Sequence, residues 1–168
     1  MKRTILMACA IAILVPAVNS QSQEIENVEA AEAYNLARTL FQEGKYDEAT
    51  EQLLKSARLE PGNFRAHYLL GLTYKQLRQP DDAISQFEAA INFRPDYHQV
   101  YSAIGSVYLD YKSDPEKALE YYIQSGSVSE EYQRPYWQAF WNQGKILFDM
   151  QRWGEALQAY SKVAQYNP

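Results

Sequence analysis

Apolar and polar positions follow a helical period along most of the chain, in short blocks separated by turn residues. The stretch from Phe64 to Pro95 shows this most clearly. Tyr68, Leu69, Leu70, Leu72, Tyr74 and Leu77 form one apolar block, and Ala83, Ile84, Phe87, Ala90, Ile91 and Phe93 a second. Steps of three and four residues place each block on one face of an amphipathic helix. Between them, Arg78-Gln79-Pro80-Asp81-Asp82 carries turn chemistry, and Pro95 ends the second block because proline cannot continue a helix. The predicted unit is a helical hairpin.

The hairpin recurs along the chain. The small residues Ala37, Gly71 and Gly105 stand 34 apart, and Gly144 follows after 39. Ala49, Ala83, Ala118 and Ala156 are spaced 34, 35 and 38. Leu36, Leu70 and Ile104 precede the small residue, and Leu40, Tyr74, Tyr108 and Leu147 follow it by three. Leu53, Phe87, Tyr122 and Tyr160 follow the alanine by four. Small side chains let the two helices of a hairpin approach, and the large ones fill the space beside them. A single hairpin cannot bury its apolar face alone, so successive hairpins must stack.

This pattern resembles the tetratricopeptide repeat family over about residues 30–168, in units at about 30–63, 64–97, 98–132 and 137–168. The resemblance implies an all-α fold: a helical-hairpin solenoid, a right-handed superhelix of about four antiparallel helix pairs. Three positions depart from the family pattern. Gln143 stands where an apolar residue is usual, Glu130 where the third unit should have proline, and Arg78 where Gly44 supplies glycine in the first turn. The expected helices run over 29–43 and 47–60, 63–77 and 81–94, then 96–111. Asp114 and Pro115 suit a helix start, and Gly126 a helix end. Residues 126–136, GSVSEEYQRPY, then form a long connection to the last pair, at 135–150 and 153–166.

In the family, the first helix of each hairpin lines a concave groove. Its fifth position here holds Tyr34, Tyr68, Ser102 and Trp141; its ninth, Arg38, Leu72, Ser106 and Lys145; its twelfth, Phe41, Lys75, Leu109 and Phe148. The candidate groove is therefore Tyr34, Arg38, Phe41, Tyr68, Lys75, Trp141, Lys145 and Phe148. Rigid amphipathic rings with a few cations are typical of binding hot spots. The same rings also suit packing between helices. Some family members clamp a partner's C-terminal carboxylate with lysines and asparagines, a set these positions do not match. The resemblance thus implies an adaptor or scaffold that takes a protein or peptide segment with apolar or aromatic side chains. A chaperone-like assembly factor for an envelope machine is the alternative.

Composition narrows the classes. The chain has 168 residues and a net charge of −5, and its basic residues are interspersed with acids, so no nucleic-acid footprint is expected. Its two histidines, His67 and His98, lie 31 residues apart. No metal-ligand cluster, phosphate loop or nucleophile motif is present. Neither an enzyme nor a cofactor site is expected.

Residues 1–20 read as a signal peptide: Lys2 and Arg3, an apolar run from Ile5 to Val15, Pro16, then Val18-Asn19-Ser20 before a cleavage point. Export to the periplasm or outside a bacterial cell is the expectation, with an uncleaved or lipid anchor as alternatives. Cleavage would remove Cys9, the one cysteine, and leave no membrane span. Residues 21–29 form a polar lead or extend the first helix. The last helix retains Leu157, Tyr160 and Val163, a face that self-association could use.

Overall fold

The computed structural model describes residues 24–133 and 135–167. The signal-like segment 1–20 lies outside these. Described residues 24–42 form helix α1, so the polar segment extends the first helix from at least residue 24. Then come α2 (Tyr46–Leu59), α3 (Phe64–Gln76), α4 (Pro80–Phe93), α5 (His98–Val107), α6 (Pro115–Glu131), α7 (Trp137–Asp149) and α8 (Trp153–Tyr166). A π-helical turn, Tyr108–Lys112, continues α5. Among the described residues there is no strand.

From α2 onward each helix packs on the next, α1 meets α2 where Ala37 packs with Leu53, and α3 also touches α5 directly. The first helices of successive hairpins therefore line one side of the stack. The core is made from the small-and-large pairs. A Cβ at Gly71 would lie 2.5 Å from the ring of Phe87, and one at Gly144 2.6 Å from the ring of Tyr160. In the first hairpin, Ala30, Ala33, Ala37 and Ala49 are buried with Leu53, and the Ser56 hydroxyl donates to the Ala30 carbonyl at 2.9 Å.

The hairpin turns share a left-handed residue. It is Gly44 in the first (φ 77°), but Arg78 (59°), Ser113 (51°) and Gln151 (61°) in the others. Arg78 reproduces the glycine geometry: Gln79 N–H donates to the Tyr74 carbonyl, five residues back, just as Lys45 does to Leu40 and Arg152 to Leu147. These bonds satisfy helix-end carbonyls in the manner of a Schellman cap. In the third turn the equivalent bond runs from Asp114 N–H to Tyr108, six residues back. The extra residue is the one that lengthens the Ala83–Ala118 spacing to 35, and the π turn absorbs it. Asp114 then caps α6, its side chain accepting from Lys117 N–H, with Pro115 in the first turn.

Gly126 does not end α6. The helix runs on to Glu131, and the connection shrinks to residues 132–136. A Cβ on Gly126 would lie 2.8 Å from Phe140 and 2.8 Å from Gln143, so this glycine admits α7 against α6. Gln143 is buried there because it has a partner: its amide donates to the Tyr122 carbonyl at 2.8 Å. Glu130 takes ion-pairing Lys162 at 2.7 Å and the Tyr166 hydroxyl at 2.8 Å, tying the extended end of α6 to α8.

Candidate functional site

The first helices carry the sequence-predicted groove residues, and the structure separates them into three groups. In the first, Tyr34 and Arg38 of α1 meet Tyr68 of α3 in one open cleft of about 500 Å³. Arg65 and Leu69 of α3 complete it, with Tyr97 from the turn before α5. Sequence reasoning missed Arg65 and Tyr97. Arg65 is only the second residue of its helix, and Tyr97 lies outside a helix altogether. The available signal was Tyr97 itself, an aromatic residue just ahead of a helix start.

Aromatic contacts hold the cleft wall. Tyr97 stands edge-on to Phe64 at 5.2 Å and to Tyr68 at 5.3 Å, and Tyr68 reaches Phe87 at 5.9 Å. Such pairs fix ring orientation as well as burying area. Burial pushes the Tyr68 hydroxyl well above the ordinary tyrosine range, with Tyr97 and Tyr136 adding to the rise. Burial also raises Tyr97, helped by Tyr34 and opposed by Arg65. Both therefore remain neutral hydroxyls at neutral pH. Arg38 lies over the Tyr34 ring at 5.9 Å, and Arg65 over Phe64 at 5.1 Å.

The second group is engaged internally. Lys75 donates to the Ser106 hydroxyl at 2.7 Å and pairs with Asp110 at 2.9 Å. The Tyr111 hydroxyl donates to the Lys75 carbonyl at 3.0 Å, and Lys112 pairs with Asp81. The π turn is thus tied to α3 and α4. Ser102 is a correction to the groove row: it is 8% exposed, and its hydroxyl donates to Ser125, which donates to the His98 carbonyl. It belongs to the α5–α6 contact.

The third group sits on α7. Trp141 (49% exposed) packs edge-on to Tyr160 of α8, and Phe148 (54%) to Trp153. Lys145 is exposed between them. These three do not line the cleft that holds Tyr34 and Tyr68. Phe41 is half-buried against Tyr46. On α8, Leu157 is the most exposed large apolar residue described, at 71%.

The histidines do not converge. His67 is half-buried, stacked on Phe93, with its ring nitrogens at 2.9 Å from Gln86 and 3.0 Å from the Pro61 carbonyl. His98 is buried against Tyr136. Among the described residues no group of three histidine, cysteine or acidic side chains could hold a metal ion. No described helix is long and apolar enough to cross a membrane.

Comparison with known proteins agrees with this architecture. A model described as TPR repeat matches residues 37–77, and models described as tetratricopeptide repeat match 64–97 and 138–168. The span between 97 and 138 holds the π turn and the lengthened α6, where the regular spacing fails. A TPR repeat-containing protein, MJ1428 from Methanocaldococcus jannaschii, is 25% identical over 155 residues, covering 86% of this chain and 25% of that protein. The chain spans a quarter or less of the curated relatives it matches. Among solved structures, MamA superposes with a TM-score of 0.72 at 24% identity, over 81% of this chain and 77% of that one. YrrB, described as a TPR protein with an unusual peptide-binding site, superposes at 0.67 with 23% identity, over 89% and 74%.

Proposed function

Since the chain belongs to the tetratricopeptide repeat family, we propose that it is a protein-binding scaffold that seats a segment of a partner polypeptide along its first helices. The observation that carries this reading is the cleft between α1, α3 and Tyr97, a preformed concave surface with tyrosine walls. Preformed walls reduce the ordering cost of binding, and tyrosines supply contact area with few rotatable bonds. The peptide-binding site named for YrrB, a protein of similar fold, supports the same reading. In this proposal Tyr34, Arg38 and Tyr68 make the primary seat. Trp141, Lys145 and Phe148 form a second contact further along, with Phe41 and Lys75 flanking. The signal-like start supports export to the periplasm or beyond the cell. The exposed Leu157 and Trp153 of α8 favour a further, separate contact there, with another protein or another copy.

The test is a paired variant, Tyr68→Ala with Trp141→Ala, compared with wild type for capture of a partner isolated from the native envelope. Helical circular dichroism checks that the stack persists. We expect capture to fall at least tenfold, about 1.4 kcal/mol or more. Undiminished capture would remove these rings from the interface.

A further inference from the structure

Most described cations in this chain are paired. Lys45, Lys55, Lys75, Arg94, Lys112, Lys117, Arg152 and Lys162 each have a carboxylate within ion-pair distance. Arg38 and Arg65 have none among the described residues; Arg58, Arg78 and Lys145 also have none, but only Arg38 and Arg65 line one cleft together. Among the described residues that line it, that cleft has no acidic side chain, in a protein whose net charge is −5. The contrast is local and specific: Arg94, which also lies over Phe64, is forked onto Asp96 at 2.8 and 3.3 Å.

The way Arg38 and Arg65 are held adds to this. Each places its guanidinium over an aromatic ring. A cation held near a ring face is attracted by the ring without a carboxylate partner, and a guanidinium is weakly hydrated to begin with. The side chains are thus partly ordered before any ligand arrives. Tyr68 and Tyr97 stay neutral, so their hydroxyls can donate to an incoming anion instead of repelling it.

We propose that this cleft seats an acidic segment of the partner: Arg38 and Arg65, on separate helices, each take a side-chain carboxylate, and the tyrosine walls cover an apolar residue between them. The inference rests on the scaffold reading above and names its ligand chemistry. A lone terminal carboxylate would engage one arginine and leave the other unpaired. A nucleic acid would meet the repulsion of an acidic protein outside the cleft.

The test uses the full chain, immobilised, and four pools of short synthetic peptides with equal aromatic content. Three pools are acetylated and amidated, and are rich in Asp/Glu, in Asn/Gln or in Lys/Arg. The fourth repeats the Asn/Gln pool with a free C-terminus. We expect the acidic pool to be retained about tenfold or more over the Asn/Gln pool, with the preference falling as salt rises. Arg38→Gln with Arg65→Gln should abolish the preference while circular dichroism is unchanged. Arg58→Gln, exposed on α2 and outside the cleft, should leave it intact. Equal retention of the acidic and Asn/Gln pools, lost on changing Tyr68 and Trp141 to alanine, would overturn the acidic ligand but keep the scaffold. An acidic preference that survives the double arginine variant would place the seat elsewhere and overturn the proposal. Preferential retention of the free-carboxylate pool would replace side-chain recognition with terminal recognition. If no pool is retained, both the inference and the scaffold reading fall.

Discussion

At the residue scale, the glycines separate by what surrounds them rather than by where they fall in the pattern. Gly126 looks like a helix stop because glycine is favoured beyond helix ends. It sits instead inside α6, where a side chain would strike Phe140 and Gln143. Gly154, in the first turn of α8, has nothing within 4 Å of its would-be Cβ. Gly126→Ala should therefore destabilise by about 1–2 kcal/mol, overpacking outweighing a helix-propensity gain of up to about 1 kcal/mol. Gly154→Ala should show only that gain. Chemical denaturation of the two variants checks this, and equal shifts would mean that α7 does not bear on Gly126. Arg78 teaches the converse. It lacks glycine's freedom yet adopts φ 59°, because the closing bond from Gln79 to Tyr74 holds the turn. Neither outcome is written in residue type alone.

At the element scale, the irregular third unit follows from two insertions of different size. One extra residue between Gly105 and Ala118 becomes the π turn. Four extra between Ala118 and Gly144, about one helical turn, mostly lengthen α6, which has 17 residues where α2 and α4 have 14. The lengthened end is fastened by Glu130, which Lys162 and Tyr166 both contact. Burial alone would push the Glu130 carboxyl up, but the hydrogen bonds from Lys162 and Tyr166 outweigh it and hold it below the ordinary range. A depressed carboxyl stabilises the fold above its unfolded value and loses that contribution as pH falls through the folded one. Glu130→Gln should accordingly lower the melting temperature at pH 7, and the gap from wild type should close as pH falls below the ordinary carboxylate range. A gap that persists in acid would show that packing, not charge, supplies the link.

At the scale of the whole molecule, contacts run mostly between neighbouring elements, so stability should be largely local. In such a stack each hairpin depends on its own core and on its interfaces with adjacent units. Tyr160→Ala would empty the space over Gly144 in the α7–α8 pair. Hydrogen exchange should then accelerate in α7 and α8 while amides of α3 and α4 keep their protection. Uniform acceleration would indicate a single cooperative unit. The same stacked geometry divides the groove. Positions equivalent in the repeat meet across some units and not others: Tyr34 and Tyr68 share a cleft, whereas Ser102 turns into a helix contact and Trp141 leans on α8.

What the amino-acid sequence determined was the hairpin, its near-regular recurrence and the small-against-large pairs of its core. These depend on periodicity and side-chain volume, which are properties of neighbours along the chain. What tertiary structure alone decided was where the extra residues went, which groove positions stayed open, and that Arg65 and Tyr97 joined Tyr34, Arg38 and Tyr68. Those outcomes depend on how one hairpin is set against the next, because a side chain's surroundings there come from other helices; Tyr68 and Tyr97, for example, lie 29 positions apart.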